Sequence, residues 1–206
     1  MKNNVIAVVV TYNRKKLLLE CIKALKSQSY KCDILIVNNA STDDTEETIL
    51  KLQNKNLLYA NTGKNIGGAG GFNFGIKLVV ENYDYKYVWL MDDDTIPNET
   101  SLQELIKAKE LLNNDFGFLA SKPLWIDGSY CYMNNVGFES KKWMEDANLI
   151  EYGLFRIRSS SFVSCFIKTD VVREVGLPIK DFFIWDDDTE YTSRITEVFN
   201  YKRILC

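Results

Sequence analysis

Short unbroken apolar runs alternate along the chain with segments whose apolar positions recur at helical spacing. Val5-Ile6-Ala7-Val8-Val9-Val10 is a continuous, largely β-branched run. Such a run suits a strand buried on both faces, as in a parallel sheet. Asn13 is placed to cap the next segment, where Leu17, Leu18, Cys21, Ile22 and Leu25 share one face of a helix. Asp33 to Val37 predicts a second buried strand. Asn38 to Asp44 is polar and turn-rich, and a short helix starts near Thr45. Leu57 to Ala60 predicts a third, shorter strand. Gly63, Gly67, Gly68, Gly70 and Gly71 then precede Phe72, Ile76, Val79 and Val80, where helical spacing resumes. Tyr87-Val88-Trp89-Leu90-Met91 predicts a fourth strand that runs straight into Asp92-Asp93-Asp94. Ser101 and Glu104 have capping-box spacing ahead of Leu102, Leu105 and Ile106. Phe116 to Ala120 predicts another strand.

This order of strand and helix predicts an α/β fold with a mostly parallel central sheet, helices on both faces and right-handed crossovers. Ligands of such sheets bind beyond the carboxyl ends of the strands. Thr11 to Arg14, Asn38 to Asp43, and Asp92 to Asp94 all fall there, so distant stretches of chain converge on one rim. Near residue 122 the pattern changes. Trp125 to Leu154 is irregular, with Tyr130, Tyr132, Phe138, Trp143 and Tyr152 among polar residues. Phe162 to Ile167 predicts a strand and Thr169 to Val175 a short helix, with Gly176 as its stop and Pro178 behind it. The expectation is one domain over residues 1–206, with halves 1–121 and 122–206.

Composition narrows the chemistry. A length of 206 residues fits one domain, which can bury about 70% of its unfolded surface. Apolar content of 46% and charged content of 26% are those of a folded globular chain. No apolar run approaches the ~18 residues of a membrane span, and the apolar stretch after Asn4 is too brief for a secretory signal. A net charge of -3 argues against nucleic-acid binding through phosphate contacts. The absence of histidine excludes Ser-His-Asp and Cys-His catalysis within the chain, and zinc sites that need imidazole. Cys21, Cys32, Cys131, Cys165 and Cys206 are scattered and form no CxxC. They are expected to be reduced thiols of a cytoplasmic protein.

Three motifs remain that carry chemistry. Asp92-Asp93-Asp94 follows a strand, whose alternation would point Asp92 and Asp94 one way and Asp93 the other. Paired carboxylates suit Mg2+ or Mn2+, which take hard oxygen ligands and share them with a diphosphate. The bland alternative is a solvated acidic turn. Asn65-Ile66-Gly67-Gly68-Ala69-Gly70-Gly71-Phe72-Asn73 opens a helix whose free amides could cradle phosphate or ribose oxygens. It is neither a Walker A loop nor the dinucleotide fingerprint, and a tight turn with close helix–sheet packing explains it equally well. In Trp185-Asp186-Asp187-Asp188-Thr189-Glu190-Tyr191-Thr192-Ser193-Arg194, a helix starting near Asp187 makes Glu190 and Arg194 a surface i,i+4 pair. Asp187 and Asp188 would then lie at its N-terminus, either as a cap or as a general base.

In order, Thr11-Tyr12-Asn13-Arg14, Asn38 to Asp43, Asn65 to Gly71, Asp92 to Asp94 and Trp185 to Arg194 resemble glycosyltransferase family 2 and its GT-A fold, over nearly the whole chain. Bacterial galactofuranosyl- and rhamnosyltransferases look most similar. The resemblance implies an inverting transfer from a UDP- or dTDP-sugar to a hydroxyl of a glycan or lipid-linked glycan, in cell-surface polysaccharide synthesis. It makes 1–121 the nucleotide-sugar half and 122–206 the acceptor half. Matched position by position, Thr11, Tyr12, Arg14, Asn38, Asn39, Asp43, Asn65, Gly67, Gly68, Asp92 and Asp93 would contact the donor. Asp92 and Asp94 would hold Mg2+ or Mn2+, Asp188 would be the catalytic base with Asp187 beside it, and Trp185 would flank the acceptor. Trp125 and Trp143 are further candidates for stacking on sugar.

Two departures stand out. Family members often carry an acid where this chain has Asn38. They also usually supply a metal-ligating histidine beyond the arginine of the last motif, then continue through a C-terminal region. This chain has no histidine and stops at Cys206, which implies a truncated catalytic domain with water in place of that ligand. Any membrane association would be peripheral, at the inner face of the cell membrane. The alternatives from other classes are a nucleotide-sugar-binding module without turnover and an aspartate-nucleophile phosphatase. The phosphatase expects its acidic motif on the first strand and Thr or Val where Ile96 stands. A nucleotidylyltransferase would place a Gly-rich loop where Thr11 to Arg14 stands.

Overall fold

The first apolar run forms β1 (Val5–Thr11), buried at every residue. In the computed structural model, which describes residues 3–134, 136–137, 144, 147–198 and 202–206, the elements continue in strict alternation. They are α1 (Lys15–Ser27), β2 (Asp33–Asn38), α2 (Thr45–Leu52), β3 (Leu57–Asn61), α3 (Gly67–Asn82), β4 (Tyr87–Asp92), α4 (Ser101–Leu111) and β5 (Phe118–Ala120). There follow α5 (Ala147–Ile150), β6 (Phe155–Arg156), β7 (Cys165–Lys168), α6 (Thr169–Val175), α7 (Asp187–Glu197) and β8 (Arg203–Leu205).

One sheet of eight strands runs in the order β3-β2-β1-β4-β7-β5-β8-β6. Its first four strands are parallel, so Thr11, Asn38, Asn61 and Asp92 end at the same rim. β7 lies between β4 and β5 and is antiparallel to both, with Cys165 opposite Leu90 and Ala120. The segment entering β7 therefore starts from that same rim. The residues after 122 supply β6, β7 and β8 to the common sheet.

Alternation within β1 divides the core. Val5, Ala7 and Val9 face one apolar layer with Leu18, Cys21, Ile22 and Leu25 of α1 and Leu102 and Leu105 of α4. Ile6, Val8 and Val10 face the other, with Phe72, Ile76 and Val79 of α3, Val171 of α6, and Tyr191 and Ile195 of α7. Helices thus cover both faces, as a buried parallel sheet requires.

α3 lies unusually close to the sheet. A Cβ on Gly71 would sit 2.6 Å from Val10 Cγ1, and one on Gly75 would sit 2.7 Å from Val8 Cγ1 and 2.8 Å from Val37 Cγ2. All three valines are stiff and on central strands, so they yield little. Gly75→Ala is expected to destabilise the fold by about 1–2 kcal/mol, because overpacking exceeds the gain in helix propensity. A lower urea midpoint at unchanged m-value checks this.

Several local expectations fail for tertiary reasons. Asn13 caps nothing: it adopts φ 55°, and its Oδ1 accepts the Thr42 N–H at 2.7 Å. It ties the β1–α1 loop to the β2–α2 loop. Leu17 is exposed, so the apolar stripe of α1 is narrower than the sequence suggests. The Ser101–Glu104 capping box does not form, since α4 begins after Thr100 without a side-chain cap. Gln28, fully buried, reaches across to accept the Leu102 N–H at 3.0 Å. Glu104 pairs with Lys107. The strand expected from Phe116 starts only at Phe118, and Phe116 stacks with Tyr87 and Phe166. The strand expected from Phe162 starts at Cys165, because Ser164 takes φ 60° and Phe162 turns to meet Phe72 edge-on. Gly176 does end α6, at φ 85°. Phe138 and Trp143 lie outside the described residues.

Candidate functional site

Four segments meet at the carboxyl rim of the parallel strands. β4 stops at Asp92, and Asp93 and Asp94 form a turn, closed by the Thr95 N–H donating to the Asp92 carbonyl at 3.2 Å. Strand alternation therefore does not extend to Asp94. The turn sends Asp93 inward, where its Oδ2 accepts the Thr11 hydroxyl at 2.7 Å. Asp94 stays exposed, and its Oδ2 accepts from Arg14 Nη1 at 2.9 Å. The same Nη1 lies 3.5 Å from Asp93 Oδ1.

Asp188 brings a fourth carboxylate from nearly a hundred residues away. It sits in the first turn of α7, and its Oδ1 accepts the Thr189 N–H at 2.6 Å and the Thr189 hydroxyl at 3.3 Å. Burial pushes Asp92 up to about 7, and the charges of Asp94, Asp93 and Asp188 push the same way, eased by Arg14. Burial also raises Asp93 and Asp188. Asp187 is 6% exposed and is raised to about 6, by burial first and by Asp188 next. For Arg14, burial works against the charge, yet Asp93 and Asp94 outweigh it and hold the guanidinium above its ordinary value.

The Asn38–Asp43 loop and the Gly-rich segment from Asn65 are joined. Asn39 Nδ2 donates to the Gly67 carbonyl at 2.8 Å and to Asn65 Oδ1 at 3.2 Å. Asn39 Oδ1 accepts the Ile66 N–H and the Thr62 hydroxyl, each at 3.1 Å. Asn38, fully buried, donates to the Tyr59 hydroxyl at 2.8 Å and accepts the Ser41 N–H at 2.9 Å. Asn65 Oδ1 also accepts the Gly67 N–H at 2.9 Å. Thr11, Asn38 and Asn39 thus spend their polar atoms on the loops and are almost inaccessible. Tyr12, Arg14 and Asp43 remain open to a ligand, although Asp43 Oδ1 also accepts the Thr45 N–H that begins α2.

The Gly-rich helix start is only partly a free cradle. A strap from Lys180 to Asp186 crosses it, and the Phe183 carbonyl accepts the Ala69 N–H at 3.2 Å. A Cβ on Gly67 would lie 2.0 Å from that carbonyl oxygen, so only glycine, here at φ 76°, permits the approach. A Cβ on Gly68 would meet nothing within 4 Å. Phe183, Trp185 and Asp186 all adopt positive φ, and Trp185 projects to 81% exposure. Sequence reasoning missed the strap because its contact is a backbone carbonyl, which leaves no residue signature. The Glu190–Arg194 pair does form, with Arg194 Nε 2.7 Å from Glu190 Oε1. Arg194 also donates to the carbonyls of Val175 and Leu177, which anchors the chain leading into the strap.

Hard oxygens of Asp92 and Asp94, in a carboxylate cluster that Arg14 compensates only in part, fit a divalent cation of the Mg2+ or Mn2+ kind. Among the described residues, no three carboxylate, thiol or imidazole groups converge as a complete metal cage. The donor set therefore fits an ion that takes its other oxygens from a diphosphate and water, as Mg2+ commonly does.

A sheet order with a parallel half, an antiparallel insertion and an acidic turn after β4 defines a GT-A fold. The crystal structure of GalNAc-T7 with UDP, GalNAc and Mn2+ superposes with a TM-score of 0.77 at 12% identity, covering 98% of this chain and 41% of that one. The chain belongs to the glycosyl transferase family 2, whose profile matches residues 6–146. Galactofuranosyltransferase GlfT1 of Mycolicibacterium smegmatis is 37% identical over 98 residues, 48% of this chain and 32% of that protein. dTDP-rhamnosyl transferase RfbF of Shigella flexneri is 26% identical over 197 residues, 94% of this chain and 64% of that protein. The chain thus spans a third to under two thirds of the length of these relatives. Among the described residues, no helix is long and apolar enough to cross a membrane.

Proposed function

We propose that this chain carries the donor site and catalytic base of an inverting glycosyltransferase that moves a sugar from a UDP- or dTDP-sugar to a glycan hydroxyl. The supporting observation is the meeting of Asp92, Asp93 and Asp94 with Asp188 at one rim, beside the exposed Arg14 and Tyr12. The named relatives use galactofuranosyl and dTDP-rhamnosyl donors, and a structural neighbour holds UDP with Mn2+.

The residues divide the work. Tyr12, Arg14, Asp43 and Gly68 line the open side of the donor pocket. Thr11, Asn38, Asn39 and Asn65 position it from behind, through the bonds that lock the loops together. A divalent cation held by Asp92 and Asp94 would supply charge neutralisation for the departing diphosphate. Asp188 takes the acceptor proton at a carboxylate oxygen while the hydroxyl oxygen bonds to the anomeric carbon. The bond from that carbon to the phosphate oxygen breaks, its electron pair leaves with the diphosphate, and the centre inverts. The transition state carries oxocarbenium character, as in glycoside hydrolysis. Trp185, exposed beside Asp187 and Asp188, offers an aromatic face to the acceptor sugar. The chemistry asks only for a hydroxyl acceptor; the family resemblance points to a glycan or lipid-linked glycan of the cell surface, met from the cytoplasmic side.

Calorimetric titration with UDP and dTDP, with and without Mn2+, tests the donor site. Metal-dependent binding of one nucleotide, abolished in Asp94→Ala, is expected. Failure of a folded chain to bind either nucleotide would overturn the proposal.

A further inference from the structure

Arg14 reaches into the acidic rim, and one partner it holds there is a carboxylate assigned to the metal. Its Nη1 contacts Asp94 Oδ2 at 2.9 Å and Asp93 Oδ1 at 3.5 Å. The two partners differ in mobility. Asp93 is 4% exposed at its side chain and fixed by the Thr11 hydroxyl. Asp94 and Arg14 are about half exposed, at 49% and 53%. Asp93 is therefore an anchor, whereas the Arg14–Asp94 contact is a solvent-screened pair that exchanges easily.

Asp94 Oδ2 cannot serve a guanidinium and a divalent cation together without placing the two positive charges side by side. A guanidinium has a better partner in a diphosphate, which offers several oxygens to its planar fork. Arg14 is the cap residue of α1, directly after the rim loop that carries Tyr12, and its side chain is half exposed, so an incoming diphosphate can reach it.

We propose that Arg14 is a counter-ion switch: it holds Asp94 in the empty site and releases it to the cation when a nucleoside diphosphate draws the guanidinium away. The switch rests on the donor and metal site proposed above, and it deepens that site by giving it an order of assembly. Without nucleotide, Arg14 competes for Asp94 and weakens metal binding. With nucleotide, Arg14 pairs with the diphosphate and Asp94 is freed. Arg14 therefore adds to the mutual enhancement of metal and nucleotide affinity beyond their direct contact, and linkage makes that enhancement reciprocal. The benefit is that the cation is recruited with the donor rather than ahead of it.

The experiment measures Mn2+ binding to the chain by electron paramagnetic resonance, first alone and then with saturating UDP or, in parallel, dTDP. It uses wild type, Arg14→Met and Arg14→Lys, each shown to be folded by thermal melting. Removing a unit positive charge a few ångströms from a divalent ion is expected to tighten Mn2+ binding alone on the order of tenfold in Arg14→Met. The same variant should bind the nucleotide more weakly, so the enhancement of each ligand by the other shrinks. Arg14→Lys keeps the charge and should leave Mn2+ affinity near that of wild type. Unchanged or weaker Mn2+ binding in Arg14→Met would overturn the switch while leaving the metal site standing. No Mn2+ binding by wild type, even with nucleotide, would overturn both.

Discussion

Replacing Asp188 by Asn is expected to lower the rate of sugar transfer by roughly 10²–10⁴-fold, the usual worth of a positioned general base, while donor affinity changes little. The separation of effects follows from where Asp188 stands. It belongs to the first turn of α7 and spends one carboxylate oxygen on the Thr189 N–H and hydroxyl, whereas Asn39 and Asn65 bond to each other and to the start of α3. Its charge is felt at Asp92, so it lies near the acidic turn after β4. Burial raises its affinity for a proton above that of an ordinary carboxylate, and a stronger base takes the acceptor proton more readily. Asn keeps the shape and can still accept from the Thr189 N–H, but it cannot take a proton. Transfer rates measured beside nucleotide titrations distinguish the roles, since loss of a transition-state contact lowers kcat without weakening donor binding. Asp187→Asn is expected to cost less, because Asp187 is buried and its shift traces to burial and to Asp188 rather than to the β4 turn. A rate for Asp188→Asn within tenfold of wild type would remove Asp188 from the chemistry.

What the sequence made legible was whatever local chemistry dictates. The apolar run at Val5 to Val10 could only be a doubly buried strand, and it is β1. Polar residues directly after such strands had to lie on one rim, and Thr11, Asn38 and Asp92 do. Asp187 and Asp188 at a helix start came from the motif itself. What stayed hidden was set by pairing across distance. β7 is four residues long, and its antiparallel seat between β4 and β5 depends on partners some fifty to eighty residues away. Gln28 replaces the expected cap of α4 because tertiary packing brings α1 alongside. The Phe183 carbonyl at the start of α3 has no side-chain signature at all. For the same reason Asn38 and Asn39 read as ligand contacts in sequence, yet in the structure they fasten loops. An amide has the same appearance in a sequence whichever partner it meets.

Asp92→Asn should abolish metal-dependent nucleotide binding and at the same time make the empty chain more stable. Burial and three neighbouring carboxylates push Asp92 from an ordinary value of 3.8 up to about 7. A folded-state value raised in this way means the native state prefers the protonated acid. Its contribution to stability is full below the unfolded value and is lost as pH rises through the folded one. Asp187, raised to about 6, acts in the same direction. Metal-free wild type is therefore expected to melt at progressively lower temperature from about pH 4 to pH 8. Asn carries no charge to desolvate, so the variant should lose much of that slope. Allowing for partial screening, the gain at pH 8 is on the order of 2 kcal/mol, or about 4–8 °C in Tm for a domain of this size. Near pH 4 the two proteins should melt together. Thermal melts in EDTA across this range check the effect, and equal Tm differences at both ends of the range would refute it. The proposed cation would neutralise this charge cluster and so recover the stability it costs. Mn2+ with nucleotide should accordingly raise the Tm of wild type at pH 8 and leave Asp92→Asn unmoved.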